Sequence, residues 1–206
     1  MALVLSGCIQ PEIAVHQTET AQAPLLVPTA PPTPAAPPAI SQQATALPPS
    51  GMVVAEQFIR QRGDLPNALL VWHEGPLGPD HLLGFSYTGM AGTPCSGYLL
   101  LAYQNGVWLP TNGTAVCAPQ PEVTAQSAFT FILTSDGQPY TIVFGRVQAP
   151  SVTAVAAVYD DGGAFNAQVV GGGFMLVRPG VSGPTALTAI DALGNTVIAT
   201  IPISPV

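Results

Sequence analysis

Ser127-Ala128-Phe129-Thr130-Phe131-Ile132-Leu133, followed beyond Asp136-Gly137 by Tyr140-Thr141-Ile142-Val143-Phe144, is the stretch that decides the fold class. Phe129, Phe131 and Leu133 fall on one side of an extended chain. Tyr140, Ile142 and Phe144 do the same in the next run, the period of two that a pleated strand imposes. Outward from there, further runs follow at Val152–Tyr159, Phe165–Val170, Phe174–Arg178, Ala186–Ile190 and Thr196–Ile201. Asp160-Asp161-Gly162-Gly163, Gly171-Gly172-Gly173 and Leu193-Gly194-Asn195 supply turns between them. Short strands recurring every 8–12 residues or so predict a sandwich or barrel. Its core takes small and aromatic residues, with Thr, Ser and Gln outward.

Toward the N-terminus the reading remains β after one helix. Val54, Phe58 and Ile59 share a face between Val54 and Arg62, and Gly63 is a stop signal. Ala68–Glu74 and His81–Thr88 read as strands that Gly75-Pro76-Leu77-Gly78-Pro79 should keep apart. Gly97–Tyr103 and Val107–Pro110 flank Asn105-Gly106, a dipeptide suited to a type I′ hairpin. Asn112-Gly113 predicts a second such turn before Ala115–Cys117, giving a meander with Trp108 at its centre. Asn112-Gly113-Thr114 also fits a glycosylation sequon, although a turn explains it without one.

Composition narrows the partners. Charged residues are 7% of the chain and the net charge is −7, against a typical charged share of about 25%. Arg60, Arg62, Arg146 and Arg178 carry all the fixed positive side-chain charge, and there is no lysine. A nucleic-acid footprint needs clustered basic residues, so nucleic acid is not the partner. No apolar run reaches the length of about 18 residues that a membrane span requires.

Leu5-Ser6-Gly7-Cys8 resembles the lipobox of bacterial lipoproteins, in which an aliphatic residue and two small ones precede a cysteine. The resemblance implies that Cys8 receives an acyl anchor, its thiolate being the nucleophile. Only Met1 to Leu5 stand in for the apolar region, which usually has roughly 7–15 residues behind a positive start. An upstream start or a trimmed chain is therefore expected. From about Gln17 to Ser50 the chain carries Pro24, Pro28, Pro31, Pro32, Pro34, Pro37, Pro38, Pro48 and Pro49 among Ala, Thr and Gln. Such a stretch favours an extended, disordered linker, about 3.1 Å per residue and on the order of 100 Å in all. Pro28-Thr29-Ala30-Pro31 and Pro34-Ala35-Ala36-Pro37 match a PxxP docking spacing but lack flanking basic residues.

With Cys8 used for lipid, Cys95 and Cys117 form an even pair, and an oxidising compartment favours their disulfide over two separate buried thiols. A second resemblance rests on Gly145-Arg146-Val147, Val155, Asp161-Gly162, Gly173-Phe174-Met175-Leu176 and Ala189-Ile190-Asp191-Ala192-Leu193-Gly194. This order of strands and turns is similar to that of Ig-like and carboxypeptidase-regulatory-like domains. It implies a structural or adhesive module rather than catalysis.

Catalytic candidates are few. His73-Glu74 and Asp80-His81 are the clustered metal-capable residues, but their spacing fits no zinc motif. Gly84-Phe85-Ser86-Tyr87-Thr88-Gly89 is one residue too long for G-x-S-x-G, and Ser86, His81 and Asp80 are too close along one strand to converge as a triad. Asp160 and Asp161 offer fewer oxygens than calcium takes. Gly171-Gly172-Gly173 has no helix behind it to cradle phosphate.

The expected organisation is a truncated signal at 1–8, a disordered Pro/Ala/Thr-rich linker at 9–51, a meander with a short helix at 52–126 and an Ig-like β-sandwich at 127–206. Residues 52–206 as one domain is the alternative. The expected protein is an all-β lipoprotein, lipid-anchored at the extracytoplasmic face of the cell membrane. It has no catalytic, cofactor or metal residues, and it binds protein or glycan or serves a structural role. Binding would use Trp72, Tyr87, Tyr98, Tyr103 or Trp108, each also explicable as core. The alternative is an exported hydrolase or metal-dependent enzyme using His73, His81 and nearby carboxylates.

Overall fold

Val54, Ala55 and Ile59 line one side of a helix, and a sheet lies under them. In the computed structural model, which describes residues 49–118 and 124–206, this helix α1 spans Gly51–Gln61 and stops at Gly63, whose φ is +84°. It packs on a four-stranded antiparallel meander of β1 (Asn67–Leu77), β2 (Asp80–Thr88), β3 (Pro94–Gln104) and β4 (Val107–Cys117). Leu83, Phe85, Tyr87, Leu99 and Leu101 form the face beneath the helix.

The meander corrects two sequence expectations. β1 does not stop at Gly75. It runs on through Pro76 and Leu77, pairing Pro76 with His81, and the turn is only Gly78-Pro79. β1 is an edge strand, where a missing proline N–H breaks no second ladder. Asn112-Gly113 likewise makes no turn: β4 passes straight through, with Asn112 opposite Leu100 and Gly113 opposite Leu99. A bulge at Thr111 absorbs the irregularity instead. Asn105-Gly106 does turn the chain, with φ of 51° and 86°, the pair of positive values that type I′ requires. Trp108 sits opposite Tyr103 near that turn rather than at the centre of the meander.

The second half forms two more sheets. β5 (Ala125–Leu133), β6 (Pro139–Val147), β9 (Gly173–Pro179) and the short parallel β12 (Ile203–Pro205) make a central sheet in the order β12-β5-β6-β9. β7 (Ala154–Tyr159), β8 (Ala164–Gln168), β10 (Pro184–Ile190) and β11 (Thr196–Ile198) make an outer sheet in the order β11-β10-β7-β8. Apart from β12, this is the ABE and GFCC′ strand order of an immunoglobulin-type sandwich.

Three layers of sheet and one helix are thus stacked over three cores. Leu82, Tyr98 and Leu100 of the meander meet Ala128, Ile132, Ile142 and Phe144 of the central sheet. Val143, Val147, Phe174 and Leu176 on its reverse meet Val155, Ala157, Leu187 and Ala189 of the outer sheet. Ile142, Val143 and Phe144 are successive residues, all 0% exposed, because the central sheet is covered on both faces. Residues 52–126 and 127–206 each contribute to a core of their own and share the middle one. Phe131 and Leu133 do lie on the side of β5 that carries Phe129, yet both are exposed.

Polar clamps hold the meander in register over the central sheet. Asp80, buried at the β1–β2 turn, accepts hydrogen bonds from the Ser135 N–H (2.7 Å) and hydroxyl (2.6 Å) in the β5–β6 turn. Gln126 Nε2 donates to the carbonyls of Pro94 (3.2 Å) and Val116 (3.4 Å). Asp80→Ala leaves a donor pair without its charged acceptor and should lower stability by about 2 kcal/mol. Ser135→Ala keeps the backbone bond and should lower it by less, both read from urea unfolding midpoints.

Candidate functional site

The chemistry-bearing residues of the meander do not converge. β2 has no bulge, so His81 shares the helix-side face of Leu83 and Phe85, while Gly84 shares the opposite face of Leu82. His73 pairs with Gly84 and therefore lies on the far side of the sheet from His81. No metal bound between two sheet neighbours could reach both. His81 Nε2 is instead 3.5 Å from Glu74 Oε1, and its ring meets Trp108 edge-on at 5.9 Å. Ser86 is buried on the face opposite His81, and Asp80 is engaged by Ser135, so the three make no triad.

The remaining candidates are also in place structurally. Asp161 pairs with Arg178, which holds its carboxyl down at about 2, while Asp160 accepts from the Ser182 hydroxyl and the Gly183 N–H. Arg178 in turn lies 4.6 Å over Tyr159 and 5.2 Å over Phe165, a cation–π stack across the outer sheet. Cys95 and Cys117 face each other across β3 and β4 with sulfurs 1.98 Å apart. Asp64 is the third member of the one metal-capable trio among the described residues, and the other two members are these joined sulfurs. Cys8 and the PxxP stretches lie outside the described residues.

Of the aromatic candidates, Tyr87 and Tyr98 are core residues. Burial, with the neighbouring Asp64, pushes the Tyr87 phenol up to about 12. Tyr98 donates to Asn112 Oδ1 at 2.7 Å, which gives the sequon asparagine a structural partner. Tyr103 and Trp108 stand together at the β3–β4 turn, 5.4 Å apart, with Tyr103 exposed.

Trp72 is different, because it lines a cleft that the sequence does not announce. It is the extra residue of a bulge, between Val71 opposite Phe85 and His73 opposite Gly84. Its ring lies between two glycines of different sheets. A Cβ at Gly84 would come within 2.5 Å of it, and one at Gly173 within 2.3 Å. The cleft, of about 280 Å³, opens where β1, β8 and β9 come together, each an edge strand of its sheet. His73, Phe165, Asn166, Gln168, Met175 and Val177 contribute to its walls. Trp72 Nε1 is buried there without a hydrogen-bond partner among the described residues. Burial, and then repulsion from His81, pulls the His73 imidazole below its ordinary 6.5, so it is neutral at pH 7.

No protein family, curated protein or solved structure matches this chain.

Two outcomes follow from the cleft. Gly173→Ala drives a methyl into the indole and should destabilise by about 2 kcal/mol. The loss should shrink when Trp72 is also cut to Leu, as a double-mutant unfolding cycle would read. His73 takes its proton less readily folded than unfolded, so its stabilising share is complete above 6.5 and drains away as pH falls through its folded value. Urea midpoints taken between about pH 7 and about pH 5 should drop less in His73→Gln than in wild type.

Proposed function

We propose that this protein is a lipid-anchored extracytoplasmic lipoprotein whose β-rich part is a non-catalytic binding or structural module. On this reading Cys8 carries the acyl chain, the Pro/Ala/Thr-rich stretch before α1 acts as a spacer from the membrane, and the stacked sheets meet a protein or glycan ligand. The observation that carries the reading is the pairing of Cys95 with Cys117 across β3 and β4. Disulfides persist in oxidising compartments, so an exported chain fits this pair better than a cytosolic one.

Other features support it. Among the described residues no helix is long and apolar enough to cross a membrane. Arg60 is committed to Glu56 and Arg178 to Asp161, leaving little positive charge for nucleic acid. The separation of His73 from His81 across a sheet argues against the hydrolase alternative.

Metabolic labelling in the native cell with an alkyne-bearing fatty acid tests the anchor. The wild-type chain should take the label and sediment with membranes, while Cys8→Ala should do neither. A wild-type chain with a free thiol at Cys8 would end the reading.

A further inference from the structure

Hydrogen bonding along β6 and β9 can be phased from its two ends. Val147 N–H donates to the Gly172 carbonyl (2.7 Å), and Gly180 N–H donates to the Pro139 carbonyl (2.8 Å). In an antiparallel ladder the bonded pairs recur every second residue. With Gly145 opposite Phe174, Val143 opposite Leu176 and Thr141 opposite Arg178, these three residues of β9 bond to β6. Met175 and Val177 therefore turn their N–H and C=O groups away from β6, toward the free edge.

That edge is bounded at both ends. Gly173 closes one end by exchanging backbone bonds with Val170, at 2.9 and 2.8 Å. Pro179 closes the other, having no N–H to offer. Between them, Met175 and Val177 have no hydrogen-bond partner among the described residues, and both line the cleft with Trp72. The opening lies in the layer of the central sheet, flanked by β8 of the outer sheet and β1 of the meander. The Trp72 Nε1, packed against Gly173, adds an unpartnered donor of a different kind.

The geometry points to this cleft as a strand-addition site, in which a short extended segment of a partner polypeptide pairs with Met175 and Val177 as a fifth strand of the central sheet. The class of partner follows from the walls. Among the described residues no Asp, Glu, Lys or Arg lines the cleft and His73 is neutral, so an uncharged segment fits without a buried unpaired charge. Strand addition uses the guest's own N–H groups, so the segment is free of proline at the pairing positions. A glycan, lacking a regular row of donors and acceptors, matches the spacing poorly. The inference deepens the binding-module reading and rests on it only for the idea that the module binds.

Nitrogen–proton NMR of the full chain tests the site with a capped, alternating threonine–valine pentapeptide. Before addition, the amides of Met175 and Val177 should exchange with deuterium far faster than those of Phe174 and Leu176. Protection of all four would mean that the edge is already paired and would overturn the proposal. On titration to about 1 mM peptide, the Met175 and Val177 amides and the Trp72 indole proton should shift together. The same peptide methylated at both valine nitrogens should bind about tenfold more weakly, and Trp72→Phe should weaken the parent peptide about fivefold. Equal binding by the methylated peptide, shifts confined to another edge, or no shift at these residues would each overturn it. Acylation of Cys8 plays no part in this titration, so the anchor and the strand site fail separately.

Discussion

The central sheet is covered on both faces, and that constraint governs what its residues can be. Ile142, Val143 and Phe144 follow one another without exposure, so no side of β6 is available for a charge at its middle. The polar group that does enter is fully satisfied. Thr141, also 0% exposed, donates its hydroxyl to the Gly180 carbonyl at 2.9 Å and accepts the Ser182 N–H at 3.1 Å. A buried hydroxyl without such partners would cost more than a typical hydrogen bond contributes. The outer layers obey looser rules because each has a wet side, and charges gather there: Arg60 with Glu56 on the helix, and Asp161 in the β7–β8 turn of the outer sheet, which Arg178 reaches from the end of β9.

With its faces covered at β6, the central sheet presents to other molecules its edges and the exposed Phe131 and Leu133 end of β5. One edge is β12, three residues long and bracketed by Pro202 and Pro205, and such short proline-bearing edges resist pairing. The other is β9, whose flanks are overhung by the two neighbouring layers. Overhang limits which chains can approach without abolishing the unpaired groups of Met175 and Val177. The constraint that makes the sheet dry thus also concentrates its open hydrogen-bonding capacity in one short stretch.

How much of this was legible depends on whether the signal was local. Alternation in Phe129–Leu133 and Tyr140–Phe144 gave β strands and the correct parity, because side-chain direction is set by the backbone itself. It could not say that Val143 is as buried as its neighbours, since a second covering sheet leaves no mark on a run this short. Asn105-Gly106 turned as read, whereas Asn112-Gly113, the same dipeptide, stayed extended, its Asn112 held by Tyr98 and its ladder continuing to Cys117. Gly75-Pro76 misled for a related reason: proline excludes a central strand, and β1 is an edge. The cleft was out of reach altogether. Trp72, Gly84 and Gly173 become meaningful together only after three sheets are stacked, although Gly84, isolated within a strand, was a faint sign of close approach.

Scarcity of charge links the cleft to the proposed location of the protein. With no charged residue among the described residues that line the cleft, the lining itself steers encounter little, and association rates fall toward the range typical of neutral surfaces. Two ladder pairs and one indole donor also make a small contact, well under the area of a stable protein–protein interface. A weak, unsteered contact is of little use to a freely diffusing protein. A module held at a membrane is different, because confinement raises the effective concentration of a partner on the same surface and converts a modest affinity into appreciable occupancy. On that argument the proposed acyl anchor and the proposed strand site would be complementary: the anchor would supply proximity, and the backbone of Met175 and Val177 recognition.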